Sequence, residues 1–545
     1  MTTFDWLIVL VINGAVIGYG IYLARGTKTS SEWFLGARTL PWWAVGLSMF
    51  ATNVDNADLV GVTGTTYSEG LHIVTVYAIS SVVGGMLAAF YIVPVIYRAG
   101  FYTNAEYLEF RFGPAMRALS ALIQIQYRGS MLGMMIWSAY LLLTRLVAVE
   151  PFWAWTLIVT LVILSGTYTA WGGLKSVVWT DAAQGIVMIV GALVIFAAVW
   201  RAIGGWSAMT AALALQGRGD MVHIGQYYGD DGNTSSLIVV LGWTIIASGY
   251  WTVNHTQTMR LMGTRSLWDM RMAALWGVML SLPIMVVSSS LGLFARAVPE
   301  LQSVDQPDTV YPLLANQFLG PGLKGLVVAG VVAAITSTFD SMGSALSAIF
   351  TRDIYARFMV GQREDRHYVL VGRIATIAVL AVGFLYLPFI IKQKNMIQAF
   401  TTLIPVFVTP LFTTYVAGVL TRAHRRSGLI GLFVGSLYGV LALYDREVSD
   451  VAWLSSWFTS RWAALCWSML ITGLTMTLVT AWLGREPREQ PPRRRDTGWL
   501  ERSRDELPPL REHPFADQVP MALQPALWAA ISLIVSGYVV FQLFW

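Results

Sequence analysis

The chain has 545 residues, of which 56% are hydrophobic, 13% aromatic and only 12% charged, with a mean hydropathy of +0.59. A water-soluble protein of this length carries about 25% charged residues, so composition excludes a soluble globular fold and implies a polytopic α-helical membrane protein. The net charge of +5 sits in short connections between apolar runs, which is not a nucleic-acid-binding pattern, and the single cysteine, Cys466, excludes an internal disulfide and a thiolate metal cluster.

Apolar runs near 20 residues mark membrane spans. They fall at 6–24, 42–65, 72–97, 118–146, 152–171, 177–201, 237–261, 272–297, 324–350, 369–391, 396–421, 427–444, 461–483 and 521–545. The first follows an acidic start and has no small-residue cleavage site, so it reads as a retained helix rather than a signal peptide. About fourteen spans put both termini on one side. Arginine and lysine crowd one set of connections: Arg25, Lys28, Arg38, Arg98, Arg111, Arg117, Lys175, Arg265, Arg271, Arg352, Arg357, Arg363, Arg366, Arg422, Arg425 and Arg426, then the tract Arg485–Arg511. The opposite set holds chiefly Arg218, Lys392, Lys394 and Arg446. The positive-inside rule makes the first set cytoplasmic and both termini external, in a plasma membrane (the inner membrane in a bacterium). The longest external loops are then 202–236 and 298–323. The Arg- and Pro-rich segment 484–520 reads as a flexible, basic cytoplasmic linker that meets acidic lipid headgroups. Asn233-Thr-Ser is an external glycosylation sequon, a weak signal alone.

Two spans are interrupted by polar residues. The second, at MFATNVDNADLVGVTG, carries Asn53, Asp55, Asn56 and Asp58 within about two helical turns. Such side chains persist at membrane depth only where they face partners, ions or water. Short polar side chains also compete with helix hydrogen bonding. We therefore expect a helix broken in its middle, lining a protein-enclosed cavity. The seventh span is interrupted at SGYWTVNHTQ, residues 248–257, five helices later. Interrupted helices in corresponding positions are the signature of an inverted-repeat transporter. The plainer reading is that His255 and Gln257 merely approach the end of an ordinary helix.

The stretch VVAAITSTFDSMGSALS, residues 331–347, is dense in hydroxyls, with Ser337, Ser341 and Ser344 on one helical face. It reads either as a small-residue packing face or as an ion site. Sodium is a hard cation that takes about five or six oxygens, which hydroxyls and the carbonyls of a broken helix can supply. Asp340, a charge among those hydroxyls, favours the ion.

At these residues the chain resembles the solute:sodium symporter family, which includes the sodium/glucose and sodium/galactose cotransporters. The matching segments run from about residue 42 to 430. The most specific are WGGLKSVVWTDAAQ and the STFDS…RDIY stretch; YWTVNHTQTMRLMG and TPLFTTYVAGVLTR also match. The resemblance implies an all-α, leucine-transporter-like core of two inverted five-helix repeats (5+5) with broken first and sixth core helices. Residues 42–201 would form the first repeat and 237–421 the second. Residues 1–41 precede the core as an extra helix and cytoplasmic loop, 202–236 is an external loop, 422–483 adds helices, and 521–545 is a last helix. The main sodium site would use the carbonyls of Ala51, Val54 and Ala334 and the hydroxyls of Ser337 and Thr338. A second sodium, present in some relatives, would map to Asp181, Ser337, Asp340 and Ser341. Asp340 stands where those relatives carry a hydroxyl, and Asp181 also reads as a charge favoured by a helix N-terminus.

Sugar-transporting relatives carry an acid where this chain has Ala78, an amide or imidazole where it has Asp58, and, in animals, a lysine where it has Ser281. The cavity instead offers Asn53, Asp55, Asp58 and Arg128, with Tyr77, Tyr127, Trp137, Tyr250 and Trp251 as aromatic surface and His255 nearby. Acids with aromatic walls suit an ammonium group through charge pairing and cation–π contact. Arg128 could clamp a carboxylate, or could pair with Asp55 or Asp58 and fix the helices. The expected function is sodium-coupled import of a small, amine-bearing organic solute such as an amino acid, with a sodium/sugar symporter as the alternative. A membrane sensor or channel on the same fold is the alternative of another class. No nucleophile-elbow or metal-cluster spacing suggests an enzyme. No cofactor is expected beyond sodium as coupling ion. Solute identity, ion count and oligomeric state stay open.

Overall fold

In a bilayer no water satisfies backbone N–H and C=O groups, so an apolar chain of this kind must close its hydrogen bonds within helices. The computed structural model describes all 545 residues except 26, 28, 230–231, 393–395, 448–454, 487–497 and 516–517. Lys28, Lys394 and residues 487–497 of the basic tract therefore lie outside the described residues. The helices that build the core are numbered in chain order. They are α1 (Thr3–Ala24), α2 (Trp42–Asn53), α3 (Asn56–Glu69), α4 (Leu71–Ala99), α5 (Asn104–Phe112), α6 (Pro114–Leu141) and α7 (Pro151–Ile203). The second half has α8 (Ser236–Thr252), α9 (His255–Met262), α10 (Leu267–Ala297), α11 (Leu323–Ile349), α12 (Asp365–Val382) and α13 (Met396–Leu420). α14 (Arg425–Glu447), α15 (Arg461–Leu483), α16 (Trp499–Asp505) and α17 (Pro525–Tyr538) follow.

This is a multi-pass membrane protein. Ten of the described helices are long and apolar enough to cross a bilayer, and the bent pair α8–α9 makes an eleventh span. α7 alone has 53 residues. At 1.5 Å per residue it would reach about 80 Å, more than twice the hydrocarbon thickness. It is two passes joined at Gly173, whose φ of +61° and ψ of −160° leave helical geometry. A Cβ there would lie 2.5 Å from the Trp33 carbonyl oxygen, so only glycine fits. With α7 as two passes, and α2–α3 and α6 one each, the total is the expected figure of about fourteen.

Both predicted breaks are present, and both are made the same way. α2 stops at Asn53, Val54 is non-helical (φ −109°, ψ +88°), and Asp55 caps α3. The Asp55 carboxylate accepts from the Asp58 N–H at 2.9 Å, and Asp58 returns the favour to the Asp55 N–H at 3.3 Å. This capping box satisfies donors that a continuous helix would have paired. In the second repeat α8 and α9 meet at 45°. Asn254 caps α9, its side-chain oxygen accepting from the Thr256 N–H at 3.0 Å. An Asx side chain thus opens the second half of each broken helix, as expected of residues whose short polar groups outcompete the helix ladder.

One face of the molecule gathers arginines. Arg117 lies within 2.9 Å of Glu109 and 2.8 Å of Asp353, Arg352 within 2.9 Å of Glu106, and Arg357 within 2.6 Å of Glu109. Burial alone would raise the Glu106 carboxyl, but Arg352, Arg504 and Arg117 beside it hold it well below the usual carboxylate range. Within the segment 484–520, expected to be a flexible linker, the described residues 498–515 lie against the rest of the protein. α16 docks on this arginine-rich face with Trp499, Leu500 and Ser503 buried, and the Trp499 ring stacks on Tyr368 at 3.9 Å. The apolar side chains within the basic tract cause this, because they bury more favourably than they solvate.

Candidate functional site

The breaks meet the hydroxyl-rich helix at the centre of the molecule. Because Asp55 turns its N–H to Asp58, the Ala51 carbonyl is released from the helix ladder. The Ser337 hydroxyl of α11 donates to it at 2.9 Å. The Thr338 hydroxyl donates to the Ala334 carbonyl at 3.0 Å, and Thr52 Oγ1 lies 2.9 Å from Ser341 Oγ. Ser337, Thr338 and Ser341 are fully buried. The two segments predicted to share a cation are therefore in direct contact. Ala51 lies in the last turn of α2, where the helix dipole presents negative potential suited to a cation.

The residues mapped to a second sodium divide. Asp181 Oδ2 accepts from Ser48 at 2.7 Å and from Ser341 at 3.3 Å, and it also takes the guanidinium of Arg260 at 2.8 Å. Arg260 Nε reaches Ser48 Oγ at 2.7 Å, and its Nη2 donates to Ser341. Asp340 turns elsewhere, accepting from Thr169 at 2.9 Å and from Ser165 and Tyr168. An arginine that sequence reasoning had passed over thus supplies the positive charge at Asp181. Its signal was a lone arginine at Arg260, just past the second break.

A cavity of about 690 Å³, measured to the surrounding atoms and including its open mouth, adjoins the first break. Its polar wall holds Asn53, Asp55, Asp58, Tyr77 and Tyr250, and Trp251 closes it. Met131, Met134, Ile246, Met396, Ile397 and Phe400 form the apolar wall. The Tyr77 hydroxyl donates to Asp58 at 2.5 Å. Tyr77 lies in a wide helical turn, Val76–Ser80, where Ala78 (φ −86°, ψ −112°) leaves helical geometry, a device common at functional sites. The Asn53 amide donates to Ser281 at 2.9 Å. Met131, Met134 and Phe400 were not expected; isolated apolar residues in apolar spans carry no signal of their own.

Four expected residues, Tyr127, Arg128, Trp137 and His255, stand outside this lining. Arg128 donates to the Asn254 side chain at 2.8 Å and packs 5.0 Å from the Tyr250 ring centre. Among the described residues it forms no ion pair with Asp55 or Asp58; it braces the second break instead. The His255 N–H donates to Gln124 at 3.2 Å, and its ring is buried with neither nitrogen hydrogen-bonded. Trp137 stacks on Tyr140 at 5.2 Å, away from the cavity.

A sequence model described as the sodium:solute symporter family matches residues 33–439. The chain belongs to the sodium:solute symporter family. Among individual relatives of this symporter, a sodium/glucose cotransporter of Vibrio parahaemolyticus is 28% identical over 475 residues, 82% of this chain and 86% of that one. A sodium/myo-inositol cotransporter 2 of Bos taurus is 25% identical, over 78% of this chain and 68% of its own. Among solved structures, a substrate-bound, outward-open sodium-coupled sialic acid symporter superposes with a TM-score of 0.76 at 19% identity, covering 90% of this chain and 100% of that one. A nucleobase-cation-symport-1 family transporter in a closed conformation gives 0.54 at 13% identity, over 88% and 100%. At these identities the structural likeness concerns the fold.

Proposed function

We propose that this symporter couples sodium entry to import of a small amine-bearing solute by alternating access. It needs no cofactor beyond sodium as its coupling ion. The observation that carries the reading is the Ser337–Ala51 contact of 2.9 Å, which joins a broken helix to α11 through two oxygens of the kind sodium prefers. Sodium would be held by the carbonyls of Ala51, Val54 and Ala334 and the hydroxyls of Ser337 and Thr338. Binding there clamps α2 to α11, favours the state closed toward the arginine-rich face, and so prepares the cavity for solute. The positive-inside rule makes that face cytoplasmic, in the plasma membrane, with both termini external. Rocking of the broken helices away from α11 releases the ion inward. The membrane potential contributes about 2.3 kcal/mol per charge per 100 mV.

The solute class follows from the cavity wall. Asp55 and Asp58 stand beside Tyr77, Tyr250 and Trp251, and among the described residues no basic side chain lines the space. The N-terminus of α3 offers about half a positive charge, less than one ionised carboxylate supplies with opposite sign. An ammonium group fits that balance, with the rings adding cation–π attraction. A polyol is the second reading, because Asn53, Asp55 and Asp58 also suit sugar hydroxyls and the relatives named above are sugar and inositol carriers by name.

Proteoliposome uptake under a sodium gradient, across a panel of amino acids, amines, sugars and polyols, tests the reading. Uptake of an amine-bearing solute that needs sodium is expected. Ser337→Ala and Thr338→Ala should each raise the half-saturating sodium concentration about tenfold or more, the loss of one oxygen ligand. Unchanged sodium dependence in both variants removes the site.

A further inference from the structure

Residues 498–515 run across the cytoplasmic face and are held at both ends by different parts of the carrier. At one end, Trp499 stacks on Tyr368 at 3.9 Å and its Nε1 donates to Asp365 at 2.7 Å, both on α12. Ser503 accepts from Arg352, just beyond α11, at 3.2 Å. At the other end, the carbonyls of Arg511 and Glu512 accept from the Leu267 and Trp268 N–H groups, each at 2.9 Å. These are the first two residues of α10, whose opening N–H groups have no partner within the helix. Phe515 packs edge-on to Trp268 at 5.1 Å. Between the ends, the Tyr102 hydroxyl donates to the Ser503 carbonyl at 2.6 Å, and Arg504 reaches Glu106 at 3.3 Å.

The two ends belong to bodies that alternating access must separate. α10 follows the broken pair α8–α9 through the short turn 263–266, so its start moves with the broken helix. Arg352 continues α11, which carries Ser337, and α12 packs along α11. A segment gripping both resists their separation. Its grip is built mainly from aromatic packing, backbone capping and hydrogen bonds to charged groups; the exposed Arg98–Glu512 pair at 3.4 Å adds little.

We infer that residues 498–515 are a strap that holds the cytoplasmic ends of α10 and of α11–α12 together and so restrains inward opening. The inference rests on the alternating-access reading above. In this chain the last connection before the final helix is then a built-in brake on the inward-facing state.

The test uses the full-length protein with Ser344→Cys as its one thiol, on a Cys466→Ser background, in inside-out vesicles without sodium. Ser344 lies seven residues past Ser337 along α11 toward the cytoplasm and is 1% exposed, so a membrane-impermeant maleimide reaches it only when the cytoplasmic side opens. Trp499→Ala and Phe515→Ala should each raise the labelling rate about fivefold or more by shifting the population inward. The double variant should label no faster than either single variant, because release of one end frees the strap. Trp499→Phe, which keeps an aromatic ring but loses the bond to Asp365 and part of the stacking on Tyr368, should label faster in the same direction and serves if Trp499→Ala does not accumulate. Unchanged labelling in properly accumulating variants, or increments from the two ends that multiply, overturns the strap. The readout requires neither solute nor sodium, so failure of the ion or solute assignment leaves it intact.

Discussion

At the scale of single residues, the central fact is how buried charge is neutralised beside the proposed sodium site. Asp181 and Arg260 are each about 1% exposed or less on their side chains and meet at 2.8 Å. Removing one partner of such a pair leaves an uncompensated buried charge, which costs about 3–5 kcal/mol. Arg260→Gln should therefore lower the thermal unfolding temperature sharply. Asp181→Asn combined with Arg260→Gln should cost less than the sum of the two single changes. Unfolding of the purified variants in detergent, arranged as a double-mutant cycle, measures this; additivity would mean the pair is not coupled. The sequence exposed one half of this arrangement. Asp181 stood out as a carboxylate at the start of an apolar run. Arg260 did not, because it lies 79 residues away and an arginine near a helix end reads as ordinary topology. The segments that Ser337 and Ala51 join were legible for the opposite reason, since hydroxyl density in one span and a polar break in another each carry a local signal; the pairing of these two residues came from the family resemblance. Arg128 shows the limit. Its charge at membrane depth was visible, but its partner, Asn254, depended on where the second helix breaks.

At the scale of elements, the break positions follow from Asx capping, and that chemistry is local enough to read directly. Loops that close over the core are harder. Pro307–Thr309 packs against α3 so tightly that a Cβ on Gly64 would lie 2.9 Å from the Pro307 carbonyl carbon. Asp308 in that loop is buried and accepts from the Met396 N–H, at the start of α13, at 3.2 Å. Burial pushes its carboxyl from an ordinary 3.8 up to about 7. A raised acid is held neutral by the fold, so its contribution is complete below pH 4 and is lost as pH rises toward 7. The unfolding temperature of the wild type relative to Asp308→Asn should fall between pH 4 and 7 and level off above. A pH-independent difference would show that this loop contact does not depend on the proton. Within the tract 484–520, the docking of residues 498–515 was not legible in the sequence. The tract's arginines and prolines dominate the composition, while Trp499 and Leu500, the residues that dock it, are only two apolar positions.

At the scale of the whole molecule, the fold places the proposed sodium ligands and the cavity wall on one broken helix. Ala51 lies in the last turn of α2, and Asn53, Asp55 and Asp58 follow within seven residues, with the cavity on one side and α11 on the other. A ligand on either side therefore acts on the same backbone break. If sodium and solute both favour the clamped arrangement, each must tighten the other by the same factor, because the coupling is a single free energy. Equilibrium binding should show it. The fold by which saturating sodium lowers the solute Kd should equal the fold by which saturating solute lowers the sodium Kd, typically about 5- to 150-fold for such coupling. Ser337→Ala should reduce both factors together, since it weakens the clamp and leaves the cavity wall untouched. A variant that lost sodium binding yet kept full solute affinity at zero and high sodium alike would separate the two regions. It would leave the break at Val54 as a structural kink rather than the coupling element.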